Sequence, residues 1–280
     1  MEKSRIWLNI LAVKDLHPII SIQLLSLFCY NITMTTTISL DEVTSLEGST
    51  ADVQRIYLIR HGQSKLNLPD PDGVHRIQGT SLGVDLSPLG EAQAKELFAK
   101  LAPKITHLNL QLISSNALRA LKTIQCFSRH FGKKVFISPG LRELGSGDWE
   151  GKRKEGECEE TGKIWKSLSQ EQKFVTPKMP TGESPAEVVA RALLDLDKAL
   201  QSAPGKTILG VSHDMTSNML ATHLNKVPLS DIPGQDLPDL KIGNCDLILI
   251  EVPTGKSVAE GRVTTVFKTN VIKSLPTAKL

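Results

Sequence analysis

Two arginines, two histidines and one glutamate lie at or shortly after short apolar runs of the sequence. Arg60 and His61 close the stretch "RIYLIRHG", and Arg119 follows the run "LQLISS". Glu143 lies in "LRELGSGDWEG", after the run "KVFI", and His213 directly follows "TILGVS". If these runs are parallel strands, their carboxyl ends meet at one edge of a sheet, and we expect the five side chains to converge there.

Together, these residue types suit one kind of chemistry. Guanidinium groups bind phosphate oxygens in pairs and stay charged at any working pH, and a helix N-terminus adds backbone donors. A neutral histidine keeps a ring nitrogen with a free lone pair, and a glutamate with a raised pKa can protonate a leaving oxygen. The set indicates phosphoryl transfer with protein cations in place of metal ions, so we expect no metal and no cofactor.

The elements that must position these residues alternate between strands and helices. Apolar, β-branched runs predict strands at "RIYLIR", "LQLISS", "KVFI", "TILGVS", "CDLILIEV" and "VTTVFKTNV". Helical periodicity predicts helices at "LSPLGEAQAKELFAKLA", "NALRALKTIQCFSRHF", "GESPAEVVARALLDLDKAL", "MTSNMLATHL" and around Glu160–Leu168. Ser87 and Ser184 are predicted N-caps, and Glu187 completes a capping box with Ser184. The alternation indicates an α/β fold with a mostly parallel sheet, the last two strands forming an antiparallel pair at its edge.

Composition limits the classes of partner and compartment. The chain has 280 residues and a formal net charge of +3, with no dense block of lysine and arginine, so we expect no nucleic-acid partner. Its cysteines, Cys29, Cys126, Cys158 and Cys245, are scattered without a CxxC pair, which argues against a zinc cluster or a disulfide scaffold and favours a reducing, cytoplasmic compartment. The sequence does not determine the oligomeric state, and a dimer is compatible with it.

The first 52 residues differ from the rest. Ile19–Ile32 is apolar but short of the roughly 20 residues that span a bilayer, so we do not expect a membrane partner. Three interpretations stay open for this part: a segment that targets an organelle, an extra helix packed on the domain, or sequence upstream of a start at Met34. We favour the last, or a disordered extension. Thr35–Asp52 is interpreted as a linker, which gives an extension at 1–52 and a catalytic domain at 53–280.

Several motifs, taken in order, resemble branch 1 of the phosphoglycerate mutase-like histidine phosphatase superfamily. "RHGQSKLN" resembles the family's first signature, and "HRIQGTSLGVDLSPLGEAQA" its next block. "ISSNALRALKT" resembles the block of the second arginine, "LRELGSGDWEG" that of the acid, and "VSHD" that of the second histidine. The resemblance covers roughly Arg55 to Val252 and implies a three-layer α/β/α fold with a mostly parallel central sheet.

The resemblance also implies a role for each residue. His61 would be the nucleophile that becomes phosphohistidine, and Glu143 would protonate the leaving oxygen and then activate water. The phosphoryl oxygens would be held by Arg60, Arg119 and His213, with Asn67 completing the pocket; Gln78 and Gly79 would lie near the rest of the substrate.

One residue departs from the family pattern. The residue after the second histidine is usually glycine in this branch, whereas here it is Asp214. Asp214 could turn outward and cap the following helix, or it could share the acid role as in the superfamily's other branch. We favour the cap.

Three functions follow from the resemblance. The first is a metal-independent phosphatase acting on a small phosphomonoester, such as a sugar phosphate or a related metabolite. The second is a cofactor-dependent phosphoglycerate mutase, an isomerase, which tends to have Thr-Gly-Trp where this chain has "IQGT". The third is a non-catalytic phosphate-binding regulatory module, which the complete set of chemical residues argues against. We favour the hydrolase.

Overall fold

A mixed sheet organises the computed structural model, which describes residues 35–153, 163, 165, 167–179, 181–227 and 240–275. Its seven strands follow the order β1-β7-β6-β2-β5-β3-β4. β6 runs antiparallel to both of its neighbours, β7 and β2, while the other pairs of the described sheet are parallel. The strands are β1 (Thr36–Ser39), β2 (Val53–Arg60), β3 (Leu110–Ser115), β4 (Val135–Ser138), β5 (Thr207–Ser212), β6 (Leu247–Pro253) and β7 (Arg262–Lys268).

The described α-helices are α1 (Pro88–Ile105), α2 (Leu118–Phe131), α3 (Gln170–Val175), α4 (Pro185–Ser202) and α5 (Asp214–Leu224). Two of them, α1 and α4, begin at the predicted caps. Ser87 caps α1 by accepting a hydrogen bond from the Gly90 amide at 3.0 Å, and Ser184 forms the predicted capping box with Glu187 at the start of α4. Of the predicted helix around Glu160–Leu168, residues 163, 165 and 167 are described as helical, and 160–162, 164 and 166 lie outside the described residues.

Helices cover both faces of the sheet. Alternate side chains of β2 point to opposite faces, so Tyr57 and Ile59 pack with α1 and α2 while Ile56 and Leu58 pack with α4 and α5. The predicted three-layer α/β/α fold with a mostly parallel sheet is confirmed. No described helix is long and apolar enough to cross a membrane.

The segment before β2 is part of the packed structure, so its interpretation as a linker is wrong. Thr36–Ser39 pairs with β7 in parallel, and Leu40 and Leu46 are buried in the core. The Tyr57 hydroxyl donates to the backbone oxygen of Glu47 at 2.8 Å. Short polar strands such as "TTIS" carry little local signal, since the pairing with β7 is what stabilises them. Residues 1–34 lie outside the described part, so the interpretations of that segment stay predictions.

The pairing of β1 also corrects the predicted sheet edge. β6 and β7 form the expected antiparallel pair. They are not at the edge, because β6 pairs with β2 on its other side and β7 pairs with β1. β2, β5 and β3 therefore lie in the middle of the sheet, where their parallel alignment brings three carboxyl ends together.

Candidate active site

The central strands deliver the predicted residues to one edge of the sheet. Arg60 ends β2 and is in register with Ser212 at the end of β5. β3, on the other side of β5, ends at Ser115. His61 and His213 directly follow β2 and β5, and their rings lie edge to face with centroids 4.9 Å apart. The predicted convergence of strand tips is therefore seen in the structure.

The His61 ring is held in one tautomer. It is 2% exposed, and its Nδ1 lies 2.6 Å from the carbonyl oxygen of Gly62. A carbonyl oxygen can only accept, so Nδ1 carries the proton and Nε2 keeps its lone pair. Burial first, then the positive charges of Arg119 and Arg60, lower the pKa of His61 to about 3. The ring is therefore neutral at physiological pH and suited to nucleophilic attack.

His213 is a second neutral imidazole. It is fully buried, and its Nε2 lies 2.8 Å from the hydroxyl oxygen of Ser115 at the end of β3. Burial, together with His61 and the nearby arginines, holds its pKa well below the usual range. Nδ1 has no hydrogen-bond partner among the described residues, which leaves this nitrogen available to a ligand.

Arg119 is a fully buried cation. Its guanidinium donates to the backbone oxygens of Ser81 at 2.7 Å and Gly79 at 3.2 Å. With the amide of Gln78 assigned so that both groups are satisfied, the Gln78 oxygen accepts from Arg119 Nε at 2.7 Å. Burial lowers the pKa of Arg119 to about 10, against the attraction of Glu143 and Glu150, so the group stays charged at neutral pH. Gln78 and Gly79 thus contact Arg119, while their contact with a substrate stays a prediction.

The loop that holds Arg119 depends on a carboxylate absent from our predictions. Glu150 accepts hydrogen bonds from the amide of Thr80 at 2.8 Å and its hydroxyl at 2.7 Å. Gly79 has a φ of +49°, and a Cβ there would also meet the Glu150 carboxylate. The left-handed backbone conformation therefore favours glycine at this position.

Arg60 is partly exposed and shares its donors. Nη1 donates to the carbonyl oxygen of Ile242 and lies 3.3 Å from Asp214 Oδ2, whereas Nε has no partner among the described residues. Asn244, which the sequence reading missed, donates from Nδ2 to the His61 backbone oxygen at 2.9 Å. Asn67 accepts from the Ser64 amide at 2.9 Å and closes the turn that it ends, so its predicted contact with phosphate stays a prediction.

Glu143 lies against the N-terminus of α5. Its carboxylate is 3.4 Å from the Met215 amide and 3.3 Å from the Thr216 amide, and it accepts from the Leu144 amide at 3.0 Å. Burial, and to a smaller degree the negative charge of Asp214, raises the pKa of Glu143, although the Leu144 hydrogen bond opposes the shift. A raised pKa keeps a proton available for a leaving group, as general-acid catalysis requires.

The expectation that Asp214 caps α5 is wrong. The N-cap is His213, and Asp214 is the first helical residue. Its side chain forms an ion pair with Arg60 at 3.3 Å and accepts a hydrogen bond from Asn218 Nδ2 at 3.0 Å. Asp214 therefore faces the site instead of turning away from it.

Glu143 lies in the loop of residues 140–145, which we call the acid loop. Arg191 of α4 and Glu183, which precedes α4, hold this loop in place. Arg191 donates to the backbone oxygens of Gly140 at 2.6 Å, Arg142 at 2.8 Å and Glu143 at 3.0 Å. It also pairs with Glu183 at 2.8 Å, and Glu183 accepts from the Gly145 amide at 2.7 Å. The two ends of the acid loop are thus tied to one ion pair. The motif "GESPAEVVAR" contains both residues but gives no sign of this contact.

Chemically, the arrangement can bind and transfer a phosphoryl group. Two guanidinium groups supply positive charge, a neutral imidazole supplies the lone pair, and a carboxyl group with a raised pKa supplies the proton. Within the described ranges, no three His, Cys, Asp or Glu side chains are grouped so that they could hold a metal ion.

Comparisons with known proteins show the family of the chain. The model of the histidine phosphatase superfamily (branch 1) matches residues 56–263. A probable phosphoglycerate mutase of Cronobacter sakazakii is 29% identical over 212 residues, 75% of this chain and 90% of that protein. A glucosyl-3-phosphoglycerate phosphatase of Mycolicibacterium vanbaalenii is 38% identical over 102 residues, 35% of this chain and 40% of that protein. The native structure of mycobacterial glucosyl-3-phosphoglycerate phosphatase matches with a TM-score of 0.58 and 22% identity over 80% of this chain and 100% of that one, a likeness of fold.

Proposed function

Because the chain belongs to branch 1 of the histidine phosphatase superfamily, we propose that it hydrolyses a small phosphomonoester through a phosphohistidine on His61. The observation that carries the proposal is the His61 tautomer. Nδ1 donates to Gly62, so the lone pair is on Nε2, in a ring that burial, Arg119 and Arg60 keep neutral. The substrate is a small phosphorylated metabolite such as a sugar phosphate, in keeping with the names of the relatives.

The proposed reaction has two steps. His61 Nε2 attacks phosphorus, the ester P–O bond breaks, and Glu143 gives its proton to the leaving oxygen. Water then attacks the phosphohistidine, Glu143 takes a proton from that water, and the P–N bond breaks to release inorganic phosphate. Arg60, Arg119 and His213 bind the phosphoryl oxygens in both steps, so side chains of this protein, not a metal ion, stabilise the charge.

A mutase is the second candidate, since relatives bear the name probable phosphoglycerate mutase. A mutase must return the phosphoryl group to bound substrate before water intervenes. The "IQGT" stretch supports hydrolysis, because it stands where a mutase tends to have Thr-Gly-Trp. The polar segment between Glu150 and Gly182 is also short for a mutase-type cover, so water should have access.

The test measures phosphate release by the purified chain. With para-nitrophenyl phosphate, we expect release that a chelator does not reduce and that His61→Ala abolishes. His107→Ala is the matched control, because His107 is exposed and lies beyond the end of α1. Loss of activity in the chelator would contradict the metal-independent mechanism. Interconversion of 3- and 2-phosphoglycerate stimulated by the bisphosphate, without phosphate release, would favour the mutase. Absence of both activities would favour a binding module.

The substrate is to be identified with a panel. Sugar phosphates, phosphoglycerates, glucosyl-phosphoglycerate and amino-acid phosphates should be compared by kcat/KM. A ranking with one small phosphomonoester well above the aryl phosphate supports a metabolic phosphatase, whereas uniform low rates would contradict a dedicated small-molecule substrate.

A further inference from the structure

Asp214 places a carboxylate beside an arginine that the proposed function needs for phosphate. Its Oδ2 is 3.3 Å from Arg60 Nη1, while Oδ1 accepts from Asn218 Nδ2 at 3.0 Å. Arg60 is the more accessible of the two site arginines, because Arg119 is fully buried and bonded to backbone oxygens. The carboxylate therefore lies against the guanidinium that an incoming phosphate meets first.

A phosphate and Asp214 cannot both use the same donor fully. Arg60 Nη1 is already shared between Ile242 and Asp214. A bound phosphate would add negative charge next to a carboxylate, so the two anions compete for the guanidinium. The Asp214 side chain is 33% exposed, which gives it room to turn toward solvent when phosphate binds.

We propose that Asp214 is an internal competitor for Arg60, displaced when a phosphoryl group binds and restored when inorganic phosphate leaves. The inference rests on the proposed function and deepens it. A competing carboxylate weakens retention of phosphate and so favours release of the product. It also disfavours a bisphosphate, the ligand that a mutase must retain, so Asp214 biases this site toward hydrolysis.

A purely structural role for Asp214 predicts a different outcome. A carboxylate in the first turn of α5 stabilises the helix through its dipole, so Asp214→Asn lowers stability somewhat under either role. Only the competitor role predicts tighter phosphate binding by the variant. An acid role predicts the reverse pattern, with turnover lost and phosphate affinity unchanged.

The test is the dissociation constant of inorganic phosphate, measured by isothermal titration calorimetry at neutral pH and low salt. We expect Asp214→Asn and Asp214→Ser to tighten binding about 1.5-fold to fivefold, the range of a partly exposed ion pair. Asp52→Asn is the matched control, since Asp52 is exposed and precedes the opposite end of β2, and it should leave the constant unchanged.

Two results would overturn the inference, and they separate it from the proposed function. Equal or weaker phosphate binding by both Asp214 variants, with clear binding by the wild type, contradicts the competitor role alone. Absence of phosphate binding by the wild type and by both variants contradicts a phosphate site here, and with it the proposed function and the inference. Using two variants guards against misfolding of one, which thermal unfolding by circular dichroism detects.

Discussion

At the scale of single residues, the site depends on three shifted pKa values. His61 and His213 are kept neutral by burial and by nearby positive charge, and burial raises the pKa of Glu143 above its ordinary value. The environment therefore shifts the nucleophile and the acid in opposite directions, the pKa of the histidine downward and that of the carboxyl group upward. The residues themselves were predicted from the sequence. Their pKa shifts come chiefly from burial, which no local sequence pattern shows.

The first prediction concerns Glu143. Glu143→Gln cannot donate a proton, so turnover of an alkyl phosphate such as glycerol phosphate should fall about 10²–10⁴-fold. Formation of the intermediate from an aryl phosphate should fall far less, since its leaving group needs little protonation. Steady-state and burst kinetics measure both effects. Glu42→Gln, at an exposed site, is the control, and equal losses in the rate of intermediate formation from the two substrates would contradict the acid role.

The second prediction concerns acid stability. The folded pKa of His61, about 3, is below its unfolded value of 6.5, so the unfolded chain binds more protons in that window. The contribution of His61 to the free energy of unfolding is therefore fully present above the unfolded pKa. It decreases as the pH falls toward the folded pKa, by up to about 1.4 kcal/mol per pH unit. Glu143 contributes with the opposite sign, because its folded pKa is raised.

Urea unfolding at pH values between about 4.5 and 6.5 tests this. His61→Asn should lose less free energy of unfolding on acidification than the wild type, since Glu143 and His213 are unchanged. His107→Asn should behave as the wild type. If His61→Asn shows the same pH slope as the wild type, His61 is not buried in its neutral form.

At the scale of elements, the acid loop is positioned by α4. Arg191 and Glu183 contact its backbone without reaching the reacting atoms, so Arg191 is a positioning residue. The predicted caps of α1 and α4 are confirmed because capping is local in sequence. The contact of Arg191 with the acid loop was not predictable, because the two are far apart along the chain and only the fold brings them together.

The third prediction follows from the contact of Arg191 with the acid loop. Arg191→Gln should lower kcat about tenfold to hundredfold, because a small displacement of Glu143 weakens proton transfer, while KM changes little. Arg191→Lys keeps the charge but cannot contact several carbonyl oxygens at once, so it should rescue only part. Arg129→Gln, on the exposed side of α2, is the control. A change in KM with kcat intact would contradict the positioning role.

At the scale of the whole molecule, the three-layer fold was predictable and its extent was not. Apolar strands and helices with a periodic apolar face are recognisable from their local sequence, and most of the motifs lie directly after such an element. β1 has no such signal: its four residues are stabilised by β7, from the other end of the described chain. The contact of Asp214 was not predictable for the same reason. A capping role agreed with the local sequence, whereas the ion pair with Arg60 depends on the neighbouring strand.

The fourth prediction tests that extended domain. Leu40 is fully buried in the core beside α1, so Leu40→Ala should lower the free energy of unfolding by about 2–5 kcal/mol. KM should not change, because β1 is separated from the site strand β2 by two strands. Leu68→Ala is the control, since Leu68 is 42% exposed. Equal stability of the two variants would mean that this segment does not belong to the folded core.

The central claim is that the phosphoryl group passes through His61. The most direct test is rapid quenching of Glu143→Gln with an aryl phosphate, followed by peptide mass spectrometry under alkaline conditions. This variant forms the intermediate but lacks the base that activates water, so phosphohistidine should accumulate on the peptide that contains His61. It should be stable to alkali and labile to acid, and His61→Asn should abolish it. A phosphoryl group on a carboxylate, or on any residue other than His61, would contradict the account.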